Sequence, residues 1–167
     1  LALALQAAGR KLHLAPGSLL GSGGGFKEQY PFSQPRIRAD LNETVRLASG
    51  EAAPIRDVYG MSEANWVAMQ CEQGNYHCPP WVLPGVLDED GRFLSGLAVD
   101  GERPVSGLLA FFDPLGSGDL FPSFFRTADR VTIVPGGCAC GEPGAYLLDR
   151  SVQRVDLLEE AGCAAQV

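Results

Sequence analysis

The spacing of apolar and polar positions changes along the chain and predicts two differently built parts. Residues 1–10 are mostly apolar and predict the end of a helix that Gly9 closes. Residues 12–26 alternate apolar positions and then enter a glycine run, which predicts a strand followed by a tight loop. Residues 31–50 begin irregularly and end with helical spacing, and residues 54–60 predict a short strand that also ends in glycine.

Helical spacing in the first part is carried by Leu41, Val45 and Ala48, with Gly50 placed to cap the helix. Strand, loop, helix and strand in that order predict one β-α-β crossover unit of a larger parallel sheet. Both glycine-rich turns follow the carboxyl ends of strands, which is where ligands bind in sheets of this kind. The fold class predicted for this part is therefore α/β.

Beyond residue 70, short apolar segments alternate with turn sequences. Within residues 81–115 the turns are DEDG, DGERP and DPLGSGD, and the segments between them are typical of hairpin strands. The segments RTADRVTIVPG and GAYLLDRSVQRVDLL continue the same pattern. The second part is therefore predicted to be a β-rich subdomain, either a small barrel or an antiparallel sheet.

Composition excludes several classes of protein. Apolar residues make up 46% of the chain, which indicates a folded domain and not a disordered tail. The formal net charge is −7 and the Lys and Arg residues are scattered, so we expect no nucleic-acid partner. No apolar run approaches the ~20 residues of a membrane span, and the apolar opening segment is interpreted as a core helix.

Five cysteines are present, and their grouping favours metal binding in a reducing, cytoplasmic compartment over disulfides. Cys71 with His77, and Cys138 with Cys140, supply four zinc ligands from two loops. Cys78 adjoins His77 and is expected to point away. Four protein ligands leave no position open for substrate or water, so the zinc would be structural. The alternative is a set of buried free thiols, which are common in cores.

A hydroxyl and a carboxylate follow the predicted strand at residues 54–60. Ser62 is placed to donate to a phosphate oxygen, and Glu63 is placed to hold Mg²⁺. The alternative is structural: Ser62 caps the N-terminus of a following helix, and Glu63 interacts with that helix dipole.

Two segments of the first part resemble signatures of the adenylate-forming enzymes. YGMSE (59–63) resembles their YGxTE signature, with Ser62 in place of the usual Thr. SGGGF (22–26) is similar to the glycine-rich loop that binds adenine in that family.

Two segments of the second part extend the resemblance. GLLAFFDPL (107–115) followed by FRTADR (125–130) is similar to the segment that presents an Asp to the ribose hydroxyls, and Asp129 is the matching residue. YLLDRSVQRVD lies where the family has its hinge, with Arg150 matching and Asp149 in place of the family's glycine.

Three further segments resemble one branch of the family, which contains the phenylacetate–CoA ligases and the acyl-protein synthetases. They are QCEQGNYHCPP (70–80), CACGEPG (138–144) and EEAGCAA (159–165). The resemblance implies that ATP and a fatty or aryl carboxylic acid form acyl-AMP and pyrophosphate, and that the acyl group then passes to a thiol of a protein or of CoA. It also implies a structural metal at the Cys/His pairing.

The resemblance assigns roles to individual residues. Mg²⁺ and phosphate would be bound by Glu63 and Ser62, and the acyl group would pass through Cys163, for which an unremarkable tail cysteine is the alternative. The residues expected to bind ATP or AMP are Gly23, Gly24, Gly25, Tyr59, Gly60, Met61, Asp129 and Arg150.

Two subdomains follow from this interpretation. Residues 1–70 would be the end of an α/β nucleotide-binding subdomain, and residues 71–167 a β-rich subdomain with the Cys/His cluster and a C-terminal tail. The expected partners are the acid, the thiol acceptor, and either a reductase or a second copy of the chain.

The family's phosphate-gripping loop would lie upstream of residue 22, and its C-terminal lid carries a lysine. The only lysines here are Lys11 and Lys27, so we expect these 167 residues alone to adenylate poorly. The alternative function is a non-catalytic, zinc-stabilised module that binds a nucleotide or a protein, as a degenerate paralogue would.

Overall fold

The computed structural model describes residues 1–23, 32–96, 103–116 and 122–155. The chain divides into two compact units, the first comprising Leu1–Val58 and the second beginning at Tyr59. This boundary lies N-terminal to residue 70, the position after which the pattern of apolar residues changes. Both units contain strands, and the described part of the chain is mixed α/β with much sheet and few helices, as the predicted class requires.

The described residues of the first unit form two helices and three short strands, and a fourth strand, β4, begins in this unit and ends at Gly60. No helix among the described residues has the length and apolar character that crossing a membrane would require. The elements in chain order are α1 (Ala2–Ala7), β1 (Leu12–Leu14), β2 (Leu20–Gly23), α2 (Gln34–Thr44), β3 (Val45–Leu47) and β4 (Ile55–Gly60).

Parallel pairing joins the strands of the first unit two by two. Strand β1 pairs with β3 in a two-stranded sheet, and β2 pairs with β4. Ser22 lies opposite Asp57 in the β2–β4 register, and the Ser22 hydroxyl donates to Asp57 Oδ1 at 2.8 Å. A side-chain hydrogen bond thereby supports the pairing next to the glycine run.

The predicted strand over residues 12–26 is wrong as a single element. A turn at Ala15–Ser18 divides it, with the Ser18 N–H donating to the Ala15 carbonyl at 3.2 Å and Gly17 at φ +78°. Because the turn redirects the chain, β1 and β2 belong to different sheets. Alternation of apolar residues continues across the turn and therefore concealed it.

The predicted helix is correct in kind, but it ends earlier than Gly50. Its last residue is Thr44, whose hydroxyl donates to the Asp40 carbonyl at 2.7 Å. Val45 follows in extended backbone and is fully buried, because a β-branched side chain packs well in a strand. Gly50 instead closes the turn after β3 at φ +91°. Since β3 intervenes between α2 and β4, the connection is not the simple crossover that the sequence predicts.

The second unit is built of strands that pair antiparallel with their neighbours. Their order in the sheet is β5-β6-β11-β10-β9-β7-β8, and β12 pairs with β10. The strands are β5 (Val67–Gln70), β6 (Tyr76–His77), β7 (Leu83–Leu87), β8 (Phe93–Ser95), β9 (Val105–Phe112), β10 (Phe124–Val134), β11 (Tyr146–Leu147) and β12 (Gln153–Arg154).

The DEDG turn joins β7 and β8 as a hairpin, as its sequence predicts. Asp88 Oδ1 accepts hydrogen bonds from the backbone N–H groups of Asp90 at 3.0 Å and Arg92 at 2.8 Å. Gly91 adopts φ +76°, a conformation that residues with a Cβ adopt rarely. Local turn chemistry therefore determines this hairpin.

Two apolar clusters form the core of the second unit. Trp66 and Phe111 are both buried and meet edge to face with ring centroids 4.9 Å apart. The first cluster contains Val86, Leu109, Val131, Ile133 and Leu147, and the second contains Trp66, Ala68, Val82 and Phe111.

Gly107 lies where β9 passes close to β7, and it provides a test of this packing. A Cβ at Gly107 would overlap the carbonyl oxygen of Leu87, which is backbone and cannot rotate away. We expect Gly107→Ala to destabilise the protein by about 1–3 kcal/mol. The matched control is Gly21→Ala, because a Cβ there meets nothing within 4 Å. Thermal unfolding followed by circular dichroism measures both variants, and equal midpoints would contradict the β7–β9 packing.

Candidate metal centre

Four potential metal ligands from two loops meet in the second unit. The ligand atoms of Cys71, His77, Cys138 and Cys140 all lie within 4.8 Å of one another. Cys71 follows β5, His77 lies in β6, and the two remaining cysteines lie between β10 and β11. Cys138 is buried and the other three are half-buried. The residues predicted as metal ligands are therefore brought together from positions far apart in the sequence.

A tight turn after β5 presents the first two ligands on one side. The Cys71 N–H donates to the Asn75 carbonyl at 2.8 Å, and the Gly74 N–H donates to the Cys71 carbonyl at 3.1 Å. Gly74 adopts φ +83°, which lets the chain reverse within a few residues. The reversed chain enters β6, where His77 pairs with Met69 of β5.

The second loop folds in a similar way around Cys138 and Cys140. The Cys138 N–H donates to the Glu142 carbonyl at 3.0 Å, and the Gly141 N–H donates to the Cys138 carbonyl at 2.9 Å. Gly141 adopts φ +94°. Gly136, at φ +89°, also adopts positive φ, so glycines bend this loop on both sides of the two cysteines.

Two of the distances between ligand atoms match edges of a coordination tetrahedron. Zn–S bonds of about 2.3 Å in tetrahedral geometry require sulfur atoms about 3.8 Å apart, and a sulfur–nitrogen edge is slightly shorter. The Sγ atoms of Cys71 and Cys138 are 3.9 Å apart, and Cys140 Sγ is 3.4 Å from His77 Nε2. Three thiols and one imidazole are also the ligand types that zinc prefers. These four side chains are therefore able to hold a metal ion such as zinc.

Hydrogen bonds favour the thiolate form of Cys138. Burial alone raises the pKa of this thiol, but donors from the Cys140 backbone, the Asn75 amide and the Cys140 and His77 side chains lower the pKa to about 6. The Asn75 Nδ2 donor lies 3.4 Å from Cys138 Sγ. For Cys140, the Glu142 N–H lowers the pKa, but desolvation and the neighbouring thiols outweigh it and raise the pKa. A thiolate is the form that binds metal.

Cys78 points away from the cluster, as its position beside His77 predicts. Its side chain packs against both apolar core clusters. Burial there raises the pKa of the Cys78 thiol to about 12. Cys78 therefore belongs to the core and is not a fifth ligand.

Apart from the Cys/His cluster, a hydrogen bond joins two residues that the resemblance assigns to a nucleotide. The Tyr59 hydroxyl donates to Asp129 Oδ2 at 2.6 Å, although the two residues lie 70 positions apart. Burial and the adjacent Asp129 carboxylate raise the pKa of Tyr59 well above its usual value. The hydroxyl therefore remains a donor to Asp129 at physiological pH.

An irregularity in β10 presents Asp129. The β9–β10 register shifts between Arg126 and Arg130, so the chain bulges at this point. Inside the bulge, buried Thr127 donates to the Leu109 carbonyl at 3.0 Å and accepts from the Asp129 N–H at 3.0 Å. The Thr127 side chain therefore replaces ladder hydrogen bonds and fixes the backbone at Asp129.

Ser62 and Glu63 lie in a turn after β4, and their roles toward phosphate and Mg²⁺ stay predictions. The Ser62 hydroxyl is exposed and donates to Glu63 Oε2 at 3.1 Å. The Ala64 N–H donates to the Met61 carbonyl at 3.3 Å, which closes a turn instead of starting a helix. The N-cap alternative is therefore wrong, because the chain enters β5 directly after this turn. Met61 packs against both core clusters.

The remaining predicted residues are dispersed or lie outside the described ranges. Gly23 ends β2 in the first unit, opposite Val58. Gly60 ends β4, and a Cβ there would lie 2.9 Å from Val67 Cγ1, so this glycine allows a close approach. Arg150 has an exposed side chain that pairs with Asp149 at 3.4 Å. The predicted residues Gly24, Gly25 and Cys163 lie outside the described ranges.

Asn75 is a residue of this site that the sequence does not single out. It is 9% exposed, and its side chain contacts both Cys138 and the backbone of Asp149. An Asn that follows a glycine is usually interpreted as a turn residue. Only the folded chain reveals that its amide faces a ligand sulfur.

No protein-family model, curated protein or solved structure matches this chain. The resemblance to adenylate-forming enzymes therefore stays a prediction from the motifs.

Burial of Cys78 predicts its chemical reactivity. In the native protein with a chelator present, we expect iodoacetamide to modify Cys71 at least about tenfold faster than Cys78, because Cys78 packs against both core clusters and its pKa of about 12 leaves little thiolate to react. Peptide mass spectrometry measures both rates. Unfolding in urea should remove the difference, and equal rates in the native protein would contradict the position of Cys78.

Proposed function

We propose that this chain binds one zinc ion through Cys71, His77, Cys138 and Cys140. The observation that carries the proposal is the convergence of the four ligand atoms within 4.8 Å, with two of the distances between them at tetrahedral length. An ion bound there would connect the turn after β5 to the loop between β10 and β11. The zinc is structural, because four protein ligands complete its tetrahedron.

Local structure supports a stabilising role for this zinc. Strands β6 and β11 comprise two residues each, so their ladder offers few hydrogen bonds to hold the two loops. Four metal bonds supply the constraint that these strands lack. Binding free energy at such a site becomes folding free energy of the unit that contains it.

Alanine variants of two cysteines test the ligand set. We expect Cys140→Ala to weaken zinc binding by more than about a hundredfold, beyond the effect of outer-shell changes. Cys78→Ala is the matched control and should keep one zinc per chain, because Cys78 packs in the core. Metal analysis and competition with a chromophoric chelator measure both variants. Purified wild-type protein without zinc, and without affinity for added zinc, would disprove the site.

We further propose that the zinc-stabilised unit belongs to an ATP-dependent, acid-activating ligase of the acyl-protein synthetase or phenylacetate–CoA ligase type. The motif resemblance supports this, and so does the 2.6 Å hydrogen bond between Tyr59 and Asp129, two residues that the resemblance assigns to one nucleotide. In that reaction ATP and a fatty or aryl acid form acyl-AMP, which then acylates a thiol.

Each residue has a definite role in this proposal. Asp129 accepts hydrogen bonds from the ribose hydroxyls. The Tyr59 hydroxyl donates to Asp129 Oδ2 and thereby fixes the direction of the other carboxylate oxygen. Glu63 and Ser62 are exposed or half-exposed oxygen donors in one turn, which suits Mg²⁺ and a phosphate oxygen. Mg²⁺ would neutralise charge on the phosphates when bound. Cys163 would accept the acyl group.

A nucleotide that lacks the two ribose hydroxyls tests the role of Asp129. We expect ATP to bind more tightly than 2′,3′-dideoxy-ATP, and Asp129→Asn to weaken ATP binding about tenfold and remove that preference, because hydrogen bonds to a charged group are lost. Asp90→Asn, in the exposed β7–β8 turn, is the control and should bind like the wild type. Isothermal titration calorimetry measures the affinities. Equal ATP affinity in wild type and Asp129→Asn would disprove the nucleotide site.

The alternative, a non-catalytic zinc-stabilised module, predicts a different result in one assay. A ligase, or the part of one that is supplied with its missing segments, exchanges pyrophosphate into ATP only when a carboxylic acid is present. A module with zinc and no such exchange would favour the alternative.

A further inference from the structure

Asn75 joins the metal cluster to the turn at Asp149 and Arg150. Its Nδ2 donates to Cys138 Sγ at 3.4 Å, and its Oδ1 accepts from the Asp149 N–H at 3.0 Å. A backbone N–H can only donate, so the contact with Asp149 fixes which end of the amide is oxygen. One buried side chain therefore contacts a metal ligand and a remote backbone at the same time.

The turn at Asp149 is held against the first ligand loop by further contacts. A Cβ on Gly74 would lie 2.9 Å from the Asp149 carboxyl carbon, so the two segments are closely packed. Leu147 of β11 pairs with Tyr76 of β6, immediately before this turn. The loop that carries Cys71 and the segment that carries Asp149 therefore form one packed assembly.

The backbone of this turn is in an unfavourable conformation. Arg150 has φ +57° and is, within the described residues, the only non-glycine residue with positive φ. A residue with a Cβ adopts this region only when surrounding contacts require it. Its side chain is 92% exposed and makes one ion pair with Asp149, so it offers little compensation. The constraint comes from hydrogen bonds of the turn: the Ser151 N–H and hydroxyl donate to the Leu148 carbonyl at 3.1 and 2.7 Å, and the Asp149 N–H donates to Asn75.

We propose that Asn75 couples the metal site to the Asp149–Arg150 turn, so that zinc binding orders the turn and zinc loss releases it. The inference rests on the proposed zinc site and adds a regulatory consequence to it. Zinc fixes Cys138 as a thiolate and holds the Cys71 turn, and both hold Asn75 in place. Without zinc, the loops relax and Asn75 loses its position, so the left-handed Arg150 retains only the hydrogen bonds that Ser151 makes to the Leu148 carbonyl.

The consequence concerns the segment where the resemblance assigns a hinge. In a ligase of the proposed kind, zinc occupancy would determine whether the chain at Arg150 is ordered. Asn75 is thus a positioning residue, since it acts through Cys138 and the Asp149 backbone.

Trypsin cleavage after Arg150 reports the order of the turn. Cleavage of a folded protein follows the population of locally open forms when opening is fast. We expect removal of zinc by a chelator to accelerate cleavage after Arg150 by about tenfold, since several contacts are released together. The internal control is cleavage after exposed Arg92 in the β7–β8 turn, which should change by less than about twofold. Peptide mass spectrometry measures both rates in one digest.

Two variants separate coupling from general loss of structure. Asn75→Ala removes both hydrogen bonds, and its zinc-loaded form should be cleaved after Arg150 as fast as the chelated wild type. Outer-shell changes of this kind cost about 10–100-fold in metal affinity, so excess zinc restores loading. The matched control is Gln73→Ala, an exposed amide in the same turn, which should behave like the wild type.

Three outcomes would overturn the coupling. In the first, zinc-loaded wild type and chelated wild type are cleaved equally after Arg150. In the second, zinc-loaded Asn75→Ala is protected as well as the wild type. In the third, chelation accelerates cleavage after Arg92 as much as cleavage after Arg150, which would mean that zinc stabilises the whole unit and not this turn in particular. Metal analysis of the same samples distinguishes these failures from failure of the zinc proposal, in which no sample would contain zinc.

Discussion

The antiparallel pairing of β6 with β11 is the contact on which the metal centre depends. Leu147 lies opposite Tyr76, and this single pair aligns two segments that are far apart in the sequence. One segment leads back to the Cys71 turn, and the other follows the loop with Cys138 and Cys140. Any change of register there would separate the ligands, since a one-residue slip turns each side chain to the opposite face. The pairing is short, so the ligand cluster and the strand register must stabilise each other.

The same assembly explains why polar side chains are buried beside an apolar core. Leu147 is fully buried in the first core cluster, whereas Asn75 and Cys138 next to it carry polar atoms. A buried polar group needs partners, and here the amide and the thiol supply them for each other. Cys78 differs from these polar groups, because its thiol packs among apolar side chains and lies outside the ligand cluster. Two neighbours in the sequence, His77 and Cys78, thus face the candidate metal site and the core.

Local signals in the sequence predict much of this structure, but they do not predict the long-range contacts. The DEDG hairpin and the four ligands are predictable, because turn chemistry and Cys/His spacing act within a few residues. The division of residues 12–26 into β1 and β2 is not predictable, since apolar alternation continues through the turn. Val45 has helical spacing, but burial against strands outweighs that preference. The role of Asn75 depends on residues 63 and 74 positions away, which no local pattern encodes.

The Tyr59–Asp129 hydrogen bond changes how the proposed nucleotide site is understood. The resemblance assigns Tyr59 to ATP or AMP binding, and its hydroxyl is directed to the carboxylate that would bind ribose. Burial and Asp129 raise the pKa of Tyr59, so the donor persists and the carboxylate keeps one orientation. Tyr59 also packs against both core clusters and meets Tyr76 edge to face at 6.2 Å. Because Tyr76 lies beside Asn75 on the chain and pairs with Leu147, the core, the metal loop and the proposed ribose contact share one set of packed side chains.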